Sequence, residues 1–158
     1  MSLFAVIALS LAIGMVAGLR SLTAPAVVSW AAQWSWINLQ NSSIAFLGSI
    51  RAAWIFTALA LAELIADKLP FTPARTKPGG LLARIVTGGL SGAALCVTAG
   101  ESIILGAVLG AIGALAGAFA GYELRHRLVT KRNAPDLLIA LIEDGVAIGG
   151  AFLIVAQF

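Results

Sequence analysis

The sequence predicts an all-α integral membrane protein of about six transmembrane helices, and three observations carry that prediction. Hydrophobic residues fill 60% of the 158 positions and charged residues only 11%, against about 25% charged in an ordinary soluble domain. The apolar residues gather into runs close to the roughly 20 residues that cross a hydrocarbon core of about 30 Å. Most of the charge stands in short turns between those runs, so the net charge of +3 forms no stripe of the kind that binds nucleic acid. Six runs use most of the chain, which leaves one polytopic domain over residues 1–158 and no separate soluble domain.

The first run, Ser2 to Leu19, carries Gly14 and Gly18 at the four-residue spacing that lets helices approach closely in lipid. Its first cation is Arg20, after the run, so it reads as a retained helix and not as a cleaved leader. Arg20, Ser21 and Thr23 end it. Pro25 is tolerated in a first helical turn, so Thr23 or a neighbour is expected to cap a second helix reaching about Gln40. The second run is read as a full span, with a re-entrant segment as the alternative. Trp30, Trp34, Trp36 and Trp54 flank the polar stretch Asn38 to Ser49, as an aromatic belt at one membrane face does.

A third run, Ile50 to Ala66, leads into a hinge from Ala62 to Arg84. Glu63 and Asp67 lie one helical turn apart on a single face. Pro70, Pro73, Pro78, Gly79 and Gly80 then forbid a continuous helix. The fourth run is Leu81 to Ala99 and the fifth Ser102 to Gly121, where Gly106, Gly110, Gly113, Gly117 and Gly121 share one face. That face marks either the central packing helix or the contact surface of a homo-oligomer. A turn from Tyr122 to Pro135 follows, and the sixth run, Asp136 to Phe158, holds Glu143 and Asp144 within it.

Arg20, the hinge cations and the Arg125 to Arg132 cluster occupy the first, third and fifth turns. The positive-inside rule places those turns in the cytoplasm and both termini outside. Sliding the chain by 80 residues lays Glu63 over Glu143 and Arg51 over Lys131, with half-repeats 1–79 and 80–158. Halves of three spans each point opposite ways across a membrane, so a 3+3 inverted repeat of the secondary-transporter kind is expected.

Acidic groups inside a span cost roughly 2.5 to 3.5 kcal/mol and need a partner or a task. Glu63 and Glu143 are the expected ion-binding pair near the midplane, with Asp67 and Asp144 as relays. Burial disfavours a bare carboxylate and makes protonation usable as a switch. Arg20, Arg75 and Arg84 are the expected gates or charge partners, although Asp67 also reads as a solvated pair with Lys68. In an alternative reading Lys77, Arg125 and Arg127 grip a lipid phosphate from the inner leaflet. Cys96 is the single cysteine and His126 the single histidine, so no metal site or other cofactor is expected. No nucleophile elbow or phosphate loop is present, which points away from an enzyme.

Gly18-Leu19-Arg20 with Thr23 and Pro25, the Glu63 to Arg84 hinge, and Asp136 with Glu143-Asp144 together resemble the bacterial membrane family called domain of unknown function 4126. The resemblance covers nearly the whole chain. It implies an all-helical, multi-pass protein of the bacterial inner membrane and carries no activity, substrate or cofactor. The function expected from the residues is a small transporter or channel-like protein for protons, small cations or a solute coupled to them, in contact with membrane lipids. An inner-leaflet lipid-binding or lipid-modifying protein and a structural assembly protein are the alternatives.

Overall fold

The computed structural model describes residues 1–67, 78–132 and 135–158. Among the described residues there is no strand, and six α-helices follow in order: α1 (Leu3–Leu19), α2 (Thr23–Gln33), α3 (Ile50–Ala66), α4 (Pro78–Thr98), α5 (Ile103–Arg132) and α6 (Asp136–Val155). The helices α4, α5 and α6 are long and apolar enough to cross a membrane, and α1 is a shorter apolar helix of 17 residues. Large apolar side chains cover the outside, among them Phe4 at 82% exposure and Ile104 at 72%. Water does not tolerate such a coat, and lipid does.

The packing core is α1, α4 and α5, and glycine makes it possible. A Cβ on Gly14 would overlap the backbone of Gly110, one on Gly110 the carbonyl of Gly88, and one on Gly92 the carbonyl of Gly106. Three helix backbones therefore lie against one another where any side chain would hold them apart. Met15 and Leu11 of α1 cover Gly117 and Gly113 of α5 in the same way. The glycine face of α5 thus packs against α1 and α4 within this chain, as a central packing helix does. Buried Ser10 and Cys96 meet inside this core, 3.4 Å apart.

Helix α2 is shorter than the sequence suggested. It stops at Gln33, 11 residues long, which is about 16 Å at 1.5 Å per residue and far short of a hydrocarbon core. The chain then turns through Ser35 at φ 61° and Asn41 at φ 62°, left-handed positions that helices do not contain. Ile37, Leu39, Ile44 and Leu47 fold back to join the core, Ile44 just before and Leu47 within a single 3-10 turn (Ala45–Gly48). Ile37 and Leu39, expected at the end of a span, belong instead to a plug over the end of α2.

The opposite deviation occurs in α5, which continues as helix through Tyr122 to Arg132, where a turn was expected. No glycine or proline interrupts that stretch, and Glu123 pairs with Arg127 one turn on, the favourable order for an acid and a base on a helix. Helix α3 packs chiefly on α2, and α6 on α1 and α2. Exchanging the halves does not reproduce these neighbours: α4 lies along α5, whereas α1 and α2 touch little beyond their junction.

A buried charge cluster as the candidate functional site

Four helices end or begin around Arg20. It follows the last residue of α1 and its side chain is fully buried. Asp67, just past the end of α3, accepts a hydrogen bond from its Nη1, and Asp144, two turns into α6, pairs with its Nη2. Both carboxylates are nearly buried, with side chains 13% and 10% exposed. The Nε of Arg20 is buried with no hydrogen-bond partner among the described residues. One guanidinium therefore serves two acids from two helices that hardly touch each other.

Glu63 stands one turn before Asp67 on the same face of α3, as the four-residue spacing requires, and reaches the start of α2. Its Oε1 accepts from the backbone N–H of Ser21 at 2.9 Å and the Ser21 hydroxyl at 2.8 Å, and its Oε2 accepts from the N–H of Leu22 at 2.9 Å. Leu22 is the N-cap residue of α2 and has no side chain to do this work. A carboxylate near a helix N-terminus satisfies free donors and opposes the positive end of the helix dipole. The cap expected from Thr23 comes from a different helix.

Arg84 and Arg125 complete the charged end. Buried Arg84 donates from Nε to the Gly18 carbonyl at 3.0 Å and from Nη1 to the Gly80 carbonyl at 3.0 Å, which ties α4 to the exit of α1. Arg125 grips Asp136 with two parallel bonds of 2.8 Å, and its Nη1 lies 4.0 Å from Glu143. Fork-on-carboxylate geometry of this kind is strong and directional. Arg127 is spent on Glu123, so two of the three cations expected to hold a phosphate already hold carboxylates. Lys77 and Arg75 lie outside the described residues.

The grouping differs from the one the sequence suggested. Asp67 and Asp144, expected as relays, share Arg20, whereas Glu63 and Glu143 go to a helix end and to Arg125. Asp67 belongs to this interhelical pair, beyond what its neighbour Lys68 suggested. The cluster also sits at one end of the bundle: at 1.5 Å per residue, the 17 residues of α1 put Arg20 about 25 Å from the other end of that helix. Sequence reasoning treated Arg20 as an accessory. Its signal was present in the placement of a lone arginine directly after an apolar helix and before a short one.

At the far end Trp30, Trp34, Trp36 and Trp54 form a chain of ring contacts with centroids 5.4 to 5.6 Å apart. Trp30 Nε1 donates to Thr57 Oγ1 at 2.9 Å, joining α2 to α3. Rings that are apolar in body and polar at the tip suit a membrane boundary.

A bundle of apolar helices, packed through glycine and closed at one end by buried ion pairs, defines a polytopic helical protein of membrane character. The sequence pattern of a family described as "Domain of unknown function (DUF4126)" matches residues 7–157, and the chain belongs to that family. No curated protein and no solved structure is detectably similar to it.

Proposed function

We propose that this protein moves protons, or a small cation exchanged for protons, across a bacterial inner membrane, with Asp67 and Asp144 as the exchanging groups and Arg20 as their common counter-charge. Its helices cross in the orientation that the basic turns favour, with the Arg20 end in the cytoplasm and both termini outside. The observation that carries the reading is the shared guanidinium. Asp67 and Asp144 meet on one buried guanidinium, and a proton or cation that binds either acid competes with Arg20 for it. A proton on either aspartate leaves Arg20 a one-to-one pair with the other, so protonation biases α3 against α6.

The test is proton flux into liposomes holding a pH-sensitive dye, with the full chain reconstituted and a cation gradient imposed. Wild type should acidify or alkalinise the lumen, and Asp67→Asn and Asp144→Asn should each slow this at least tenfold. No flux in wild type under any imposed gradient overturns the reading.

One set of contacts favours a second reading, a static membrane scaffold. Glu63, Asp67 and Asp144 all have partners, and a fully paired network can serve only to fix helix positions. Under that reading the two aspartate variants lose thermal stability in detergent, and wild type carries no flux to lose.

A further inference from the structure

Helix α6 has two faces. It packs on α1 and α2 and buries Ala140, Asp144, Ala147, Ala151 and Val155. On the opposite side Leu141, Ile142, Val146 and Leu153 are between 50% and 69% exposed, and Gly145 and Gly149 lie exposed among them. This outward face carries no charge, because the acids that interrupt it in sequence, Glu143 and Asp144, turn to Arg125 and Arg20. Among the described residues nothing stands on it: a Cβ at Gly145 or Gly149 would meet no atom within 4 Å.

Glycine weakens a helix interior, since it has more backbone freedom to lose than any other residue. Elsewhere in this chain close approach offsets that: Gly14 lies on Gly110, Gly110 on Gly88 and Gly92 on Gly106, backbone against backbone. Gly145 and Gly149 have the same four-residue spacing in a helix long and apolar enough to span, and no such contact. Acyl chains cover an apolar helix with no need of glycine, whereas a second helix needs it to come close. The pattern says which helix. Ile142 and Val146 form a ridge directly beside the notch at Gly145 and Gly149, so the face fits a copy of itself. Copies that obey one charge rule lie the same way up in a membrane, which brings their α6 helices together in parallel, and small-xxx-small pairs of this kind cross at about −40°. Each residue of one copy then meets what its counterpart meets on the other, and the contact closes at two.

We propose that two copies of this chain pair through this face, α6 on α6, about a two-fold axis along the membrane normal. Gly145 and Gly149 let the backbones touch, Ile142 and Val146 fill the notch of the other copy, and Leu153 closes the seam one turn on. The α5 glycines, covered by α1 and α4, take no part. Asp144 lies on the other side of the same helix, so pairing leaves the charged cluster untouched and is independent of the transport reading.

Energy transfer between full chains labelled with donor or acceptor after Phe158, in liposomes of zwitterionic lipid at falling protein-to-lipid ratio, tests it. Transfer above that of randomly scattered probes is expected, fading on dilution along a monomer–dimer curve. Gly145→Ile and Gly149→Ile should each raise the dissociation constant at least tenfold, yet unfold in detergent as wild type does, because the added Cβ meets nothing in its own chain. Ile104→Ala, on the exposed side of α5, should leave the constant unchanged. A second readout needs no bulky residue: in a Cys96→Ser background, Leu153→Cys should form an intermolecular disulfide under copper phenanthroline, and Leu82→Cys, comparably exposed on α4, should not. Transfer at the random level, which leaves lipid alone on the face, overturns the pairing. So does undiminished transfer by folded Gly149→Ile, or a disulfide from Leu82→Cys with none from Leu153→Cys.

Discussion

Arg20 has no exposed surface and two acidic neighbours, so its removal takes a shared counter-charge from two nearly buried carboxylates. Breaking a buried pair by deleting one partner costs about 3–5 kcal/mol. Arg20→Ala should therefore lower the unfolding midpoint in detergent steeply, and Arg20→Lys should recover only part of it, since an ammonium lacks the planar fork that reaches both acids at once. Equal stability of Arg20→Ala and wild type would show that the pairs contribute nothing. The residue types at this site were legible in the sequence: acids and arginines inside an apolar chain need partners. Which acid meets which arginine was not. Asp67 sits beside Lys68 in sequence, and only the fold of α3 against the α1–α2 junction turns it toward Arg20. Glu63 was singled out for its depth, yet it serves as the cap that Leu22 lacks, a role that depends on a contact across 41 positions.

Helix boundaries were read most accurately where hydropathy and punctuation agree. Helix α3 begins at Ile50 and ends at Ala66 as expected, with Ser49 capping Ala52, and α1 differs by one residue because Ser2 is its cap. The errors fall where the two signals part. Beyond Gln33 only Ile37 and Leu39 extend the apolar pattern while the backbone turns, and beyond Gly121 polarity rises while nothing stops the helix. Glycine spacing foretold a close-packed face on α5 and was silent about its partners, since small residues permit approach by any helix. That close approach makes a sharp comparison possible. Adding a methyl at Gly110 drives it into the Gly88 carbonyl, whereas one at Gly149 meets nothing. Gly110→Ala should destabilise by about 1–3 kcal/mol through overpacking, and Gly149→Ala should be neutral or stabilise by roughly 0.5–1 kcal/mol as the backbone loses freedom. Unfolding both in the same micelle compares them directly, and similar midpoints would mean that α4 and α5 have room to separate.

Over the whole molecule, the parts divide into a tight α1–α4–α5 core and a looser α2–α3–α6 flank, with the charged cluster spanning the seam. The membrane class was legible from composition alone, because no other solvent accepts this surface. The six helices found among the described residues were legible as well. The unequal packing of the two sets was not, since hydropathy reports which residues leave water and says nothing of which helices they meet. Half-length α2 then has a consequence for how the chain is made. A segment of 11 residues is too brief to partition from the translocon into lipid by itself, so it must enter as one hairpin with α3, drawn in by the later helix and locked by Glu63 and Trp30 once both are present. A fluorescent reporter fused after Asn41 should therefore light up on the side where α1 ends, while a tag inserted at that position in the complete chain should be labelled from the opposite side. Synthesis would pass through an intermediate that stays at the membrane surface until the glutamate arrives.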